Sequence, residues 1–281
     1  MLLHSLLSAG TYVVAKRALL ELSAFELGMV RFTLAAAVYG LLLWRARVRL
    51  WREDLWPMIC LGCIAVPANQ GLFLLGLARS TPGHAALLYA LTPVFVFVIA
   101  RARLGERTSL LRLGGIVLAF AGVLVVLLAR GVMAVSGHAA PLVGDLMILV
   151  AVLAWAVYAV WGKTYAVRYG AVAFTGFSLL FGSILYLPLG LVASRPGAFA
   201  ALSAAAWGSV AYLVLITSVV CYVLFYWALA REEASRVAIW SNLQPVFTAV
   251  LAWALYGERL TAPFLAGGAM VLAGVVLTER G

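Results

Sequence analysis

Ten apolar runs, each about as long as a helix that crosses a bilayer, fix most of what this chain can become. They cover about residues 2–20, 27–44, 55–77, 82–100, 110–129, 144–163, 171–193, 207–229, 235–255 and 263–279. A hydrocarbon core of about 30 Å needs about 20 residues of helix, and helices satisfy every backbone N–H and C=O without water. The chain is 65% apolar and only 11% charged, far from the roughly 45–50% and 25% of a soluble protein. The expected fold is therefore an all-α integral membrane protein with ten transmembrane helices.

The runs repeat. At an offset of 152, "LTPVFVFVIARARLGERT" (91–108) aligns with "LQPVFTAVLAWALYGERL" (243–260), sharing Leu91 with Leu243, Pro93-Val94-Phe95 with Pro245-Val246-Phe247, and Gly105-Glu106-Arg107 with Gly257-Glu258-Arg259. Likewise "FLLGLAR" (73–79) faces "FYWALAR" (225–231), and Gly115 and Gly122 face Gly267 and Gly274. The longest gap between runs, 130–145, carries Gly, Ser, His and Pro and divides the chain into a first five-helix repeat (1–130), a linker (131–143) and a second repeat (144–281). Because five is odd, copies in series enter the membrane in opposite directions.

Basic residues agree with that inversion. With a cytoplasmic N-terminus, the inner loops hold Arg45, Arg47, Arg49, Arg52, Arg101, Arg103, Arg107, Arg112, Lys163, Arg168, Arg231, Arg236 and Arg280, 13 of the 20. Lys16, Arg17, Arg31, Arg79, Arg130, Arg195 and Arg259 fall on the outer side or its flanks. Arg101 and Arg103 become Trp253 and Leu255 in the second copy, as expected of a loop that faces outward. The pair Lys16-Arg17 runs against this pattern. The reading is a multi-pass membrane protein with both termini cytoplasmic.

Two five-helix halves, each closing with Pro-Val-Phe, a helix, Gly-Glu-Arg and a glycine-spaced helix, resemble the EamA-type members of the drug/metabolite transporter superfamily, most closely the YddG-type amino acid exporters. The resemblance covers nearly the whole chain. It implies a basket of ten helices around a central cavity in the cytoplasmic (inner) membrane, alternating access between inverted halves, and export of amino acids or related small metabolites. Lys16 keeps its place in the family pattern, whereas the Trp-Gly pair usual in the first helix is Ser8-Ala9 here. Sugar, nucleotide-sugar or drug carriage on the same scaffold is the nearest alternative, and an intramembrane enzyme acting on lipid-linked substrates is a more distant one.

Other classes find little in the sequence. The net charge of +10 sits in short gaps between runs and forms no basic stripe interleaved with aromatics, which argues against a nucleic-acid partner. Lys16-Arg17 lies at the far end of the first run instead of preceding it, so that run reads as a retained helix and not a signal peptide. Cys60, Cys63 and Cys221 make neither a disulfide framework nor a metal site. There is no His-Glu-x-x-His and no Gly-x-Ser-x-Gly motif, so no catalytic residue, metal or cofactor is expected. Glu106 and Glu258 are expected to bind the adjoining Arg107 and Arg259 or helix N-termini.

A polar side chain in hydrocarbon is costly unless it faces protein or water. Mid-span polar and aromatic residues therefore mark candidate substrate contacts: Tyr12, Asn69, Gln70, Tyr89, Thr92, Trp155, Tyr158, Ser218, Tyr222, Tyr226, Asn242 and Gln244, with His84 one turn into the fourth span. Thr11 and Thr217 lie at similar depth. The amides suit the polar ends of a zwitterion, Trp155 and Tyr158 its side chain, and Tyr89, Tyr222 and Tyr226 a closing wall. No ionised side chain is expected at mid-depth. Pro93 and Pro245 should bend or break their helices, while Gly115, Gly122, Gly267 and Gly274 should pack the fifth helix against the tenth.

Overall fold

The computed structural model describes residues 1–80, 85, 88–106, 109–129, 140–247 and 262–281. Its regular elements are all helical, and we number them by span. They are α1 (Leu2–Ala18), α2 (Ala24–Ala46), α3 (Arg52–Arg79), α4 (Thr92–Leu104), α5 (Leu110–Ala129), α6 (Ala140–Tyr169), α7 (Ala171–Ala193), α8 (Ala204–Leu229), α9 (Ala234–Ile239, then a 3-10 turn Trp240–Asn242) and α10 (Ala262–Arg280). The fold is the all-α membrane bundle of two five-helix repeats that the sequence predicts. Five helices, α2, α3, α6, α7 and α8, are each long and apolar enough to cross a bilayer by themselves among the described residues. Apolar side chains such as Leu41, Val117, Val192 and Leu272 point outward, toward the lipid that the sequence requires.

Boundaries move in three places. α6 begins at Ala140, inside the segment read as linker. α2 begins at Ala24, three residues before the predicted span, because Ser23 and Glu26 form a capping box: Glu26 N–H donates to Ser23 Oγ at 3.2 Å and Ser23 N–H to Glu26 Oε2 at 2.7 Å, which satisfies two otherwise orphaned N–H groups. The fourth span is discontinuous: Ala90 and Leu91 form a turn, and α4 starts at Thr92 with Pro93 in its first turn, where a missing N–H does no harm. At the repeat-related place the ninth span tightens into the 3-10 turn before Pro245. Both prolines thus mark irregular backbone, as expected.

Two pairs of repeat mates are built differently. α5 and α10 pack on each other more extensively than any other pair, through the glycines singled out in the sequence. A Cβ on Gly122 would lie 2.6 Å from the Gly267 carbonyl oxygen and 2.7 Å from the Val271 nitrogen, and one on Gly274 would lie 2.6 Å from the Gly115 carbonyl oxygen. The other mates, α3 and α8, each contain a π-helical stretch, Ile64–Gly71 and Tyr212–Cys221. α3 packs into the second repeat, on α6 and α7, while α8 packs into the first, on α1 and α2. The halves therefore interlock.

Polar contacts at the helix ends show the inversion. At one face the end of α1 meets the end of α3, where Lys16 Nζ donates to the carbonyls of Leu77 at 2.7 Å and Ser80 at 2.8 Å. There too Ser80 Oγ donates to Asp145 near the start of α6, and Arg195, beyond the end of α7, pairs with Glu26 at the start of α2 at 2.9 Å. At the opposite face the end of α6 meets the start of α3, with Arg168 Nη1 2.7 Å from Asp54 Oδ2, and the end of α8, with Lys163 Nζ donating to the Glu232 carbonyl at 2.5 Å. α1 and α6 therefore run in opposite directions. Lys16 and Lys163, each from the first helix of its half, do the same job: a cation on the carbonyls at a helix C-terminus. That role accounts for Lys16 defying the basic-loop pattern.

Candidate functional site

Where the halves meet, a cavity of about 80 Å³ lies among the helices, room for on the order of five water molecules. It is lined by His4, Ser8, Thr11 and Tyr12 of α1, Arg31 of α2, Gln70 and Phe73 of α3, Tyr89 and Thr92 around the break before α4, Trp155 of α6, Thr217, Cys221 and Tyr222 of α8, and Ser241 and Gln244 of the ninth span. The irregular backbone of the fold concentrates here. Gln70 belongs to one π-helical stretch and Thr217 and Cys221 to the other, while Tyr89, Thr92 and Ser241 sit at the two breaks. Such stretches displace side chains from the regular helical register and recur at functional sites.

Seven of the residues expected from the sequence line this cavity: Tyr12, Gln70, Tyr89, Thr92, Trp155, Tyr222 and Gln244. Four others support the wall from behind. Asn69 Nδ2 donates to Tyr89 Oη at 3.1 Å and to the Ala151 carbonyl at 2.7 Å. Tyr158 shares a 2.6 Å hydrogen bond with Ser178, and Tyr226 Oη donates to the Tyr158 carbonyl at 3.0 Å, so both rings pack behind Trp155 and do not face the space. Ser218 accepts from Arg31. Asn242 is fully buried, with neither amide atom hydrogen-bonded among the described residues, and does not line the cavity. His84 lies outside the described residues.

One expectation is overturned. Arg31, read from the sequence as an outer flank, is a fully buried cation in the cavity wall. The capping box puts the start of α2 at Ala24, so Arg31 lies two turns inside the helix, about 10 Å along its axis. Its Nε donates to Ser218 Oγ at 2.8 Å, its Nη1 donates to Gln70 Oε1 at 3.1 Å, and its guanidinium lies 4.8 Å from the Phe32 ring centroid. It thereby joins the π-helical stretch of α3 to that of α8. The chain of contacts continues through Gln70 Nε2, which donates to Asn69 Oδ1 at 2.5 Å, and on to Tyr89. Across the cavity, Thr11 and Thr217 share a 3.0 Å hydrogen bond and Tyr12 Oη donates to Gln244 Oε1 at 3.0 Å. His4, Ser8, Phe73, Cys221 and Ser241 were also not foreseen. Of these only Ser8, polar and one turn before Tyr12, carried a spacing signal.

Trp155 carries the aromatic wall, its ring centroid 5.3 Å from Tyr222 and 5.2 Å from Phe225. At the end of the molecule nearer α9, ion pairs join the helices. Glu106 accepts from the backbone N–H of Ala234 at 2.6 Å and from Ser235 Oγ at 2.7 Å, so it caps the start of α9, the second of the two roles expected for it. Arg112 pairs with Glu233 at 2.6 Å. The repeat mate Glu258 lies outside the described residues.

These features, two interlocked repeats around a polar and aromatic cavity, match a known family. The profile of the EamA-like transporter family matches residues 1–128 and again 142–280. The chain belongs to the EamA-like transporter family. It is 27% identical to the uncharacterized transporter YyaM of Bacillus subtilis (strain 168), over 99% of this chain and 91% of that protein. It is 32% identical to a probable terminal-alkyne amino-acid exporter of Streptantibioticus cattleyicolor, over 93% of this chain and 83% of that protein. A crystal structure with 18% sequence identity superposes with a TM-score of 0.80, covering 99% of this chain and 94% of the other, and supports the fold. The protein is a membrane transporter and not an enzyme; its partners are a small-molecule substrate and the lipid around it.

Proposed function

We propose that this transporter exports amino acids or closely related small metabolites across the cytoplasmic membrane by alternating access, with the two five-helix repeats as its two halves. The observation that carries the reading is the cavity at the junction of the halves. Tyr12, Gln70, Tyr89, Thr92, Trp155, Tyr222 and Gln244 from both repeats converge on it, backed by Asn69, Tyr158, Ser218 and Tyr226. A midplane site at a repeat interface, opened to one side and then the other by rocking of the halves, is how inverted-repeat carriers work. Contacts to the neutral groups among these contribute only about 1 kcal/mol each, so no one of them holds the cargo against release. Direction, substrate class and the inner membrane draw on the relative named as an amino-acid exporter and on the family, and the cytoplasmic termini on the distribution of basic residues.

The test is a panel of labelled amino acids, sugars and nucleotide-sugars in counterflow with purified protein in liposomes. Amino acid exchange without a pH gradient is the expected result. Exchange of nucleotide-sugars but of no amino acid would overturn the substrate class.

A further inference from the structure

Arg31 brings a positive charge to the cavity with no carboxylate beside it to balance it among the described residues. Both of its described hydrogen-bond partners, Gln70 and Ser218, are neutral, and its Nη2 is buried with no partner. No carboxylate lines the cavity among the described residues. A cation held this way is costly in a membrane protein, and that cost falls when a counter-ion arrives with matched geometry. The same wall holds two more unsatisfied groups able to donate, Thr92 Oγ1 and Tyr222 Oη, each at least nine-tenths buried. A guanidinium N–H and two hydroxyls, all without acceptors in one small space, suit a carboxylate, which accepts through two oxygens and donates nothing.

We propose that the cavity recognises its cargo by a carboxylate docked on Arg31, Thr92 and Tyr222, and that the ammonium of an amino acid is the dispensable end. This rests on the reading of the cavity as the substrate site. One guanidinium balances one negative charge, so the favoured cargo is a monocarboxylate, with or without an α-amino group. Trp155 supplies an apolar and aromatic face for the remainder of the molecule.

The experiment measures binding to the purified protein in detergent, by calorimetry, for four ligands of one shape: L-phenylalanine, 3-phenylpropanoate, L-phenylalaninamide and 2-phenylethylamine. Both acids should bind, and the amide and amine should bind at least about tenfold more weakly, as expected for losing a charge-assisted hydrogen bond. In Arg31→Gln the preference for acid over amide should vanish; Arg31→Lys, which keeps the charge but loses the fork, should retain part of it. The wild-type series decides the matter even if Arg31→Gln fails to fold. Amine or amide binding as tight as the acid, no acid binding, or an acid preference unchanged in Arg31→Gln would each overturn the assignment. Acid binding that depends on Arg31 without any amino acid flux in liposomes would instead sink the amino-acid export reading and leave the carboxylate site standing.

Discussion

The α5–α10 pair and the α3–α8 pair occupy equivalent positions in the two repeats, yet they handle the same solvent problem in opposite ways. α5 and α10 are regular, have apolar centres, and bring backbone against backbone at Gly115, Gly122, Gly267 and Gly274. α3 and α8 change to π-helical geometry at mid-span, carry Gln70, Thr217 and Ser218 there, and are bridged by an arginine from α2. Close packing needs small residues and a uniform register, whereas a polar path needs displaced side chains with their own hydrogen bonds. The first pair holds the halves together. The second surrounds the cavity.

The contrast can be broken most severely at the glycines. Gly122→Leu would drive a side chain into the Gly267 carbonyl, and overpacking costs about 1–3 kcal/mol and at times more, with rigid backbone here in place of a side chain that could yield. Folded yield from the membrane, measured by monodisperse elution in detergent, should collapse. Gly114→Leu, on the same helix with nothing within 4 Å of its Cβ position, should stay within about 0.5 kcal/mol of wild type. Equal damage from both would mean that α5 and α10 do not meet through this stripe.

A smaller effect is expected at the end of the bundle. Glu106→Gln keeps acceptors for the α9 N–H groups and loses the charge, so it should destabilise by about 1–2 kcal/mol, read as a lower thermal midpoint with the cavity residues untouched. Thr217→Val removes the Thr11–Thr217 bond in the π-helical stretch of α8. Interhelical hydrogen bonds in membranes average about 0.6 kcal/mol, so its thermal midpoint should barely move. A large loss there would make the cavity wall a structural element and blur the distinction between the pairs.

How much of this was legible in the sequence depends on what each residue's neighbours reveal. Span number and the duplicated Pro-Val-Phe and Gly-Glu-Arg segments follow from chain length against bilayer thickness and from self-alignment. The glycine stripe followed from spacing. Arg31 was misplaced because a hydropathy window marks where apolar residues begin, at 27, and not where the helix begins. Ser23 and Glu26 were the signal that could have found it, since a capping box fixes the helix start and puts Arg31 two turns in. The sequence places Tyr158 and Tyr226 at cavity depth but not on the cavity's face, because depth can be read from sequence and the direction a side chain faces cannot. Pro67 is a cue to irregular backbone in α3, but nothing in 212–221 announces the matching stretch of α8.

The central claim is that the cargo passes through the cavity at the repeat junction. Its most direct test is amino acid flux per correctly folded molecule in liposomes for Trp155→Ala, Tyr89→Ala and Gln244→Ala, each beside Asn242→Ala, whose side chain is buried away from the cavity. The three cavity variants should change rate or substrate preference severalfold while remaining folded, and Asn242→Ala should keep the wild-type ranking of substrates. If every flux is unchanged in all three cavity variants, the polar set is helix packing and the pathway lies elsewhere in the bundle.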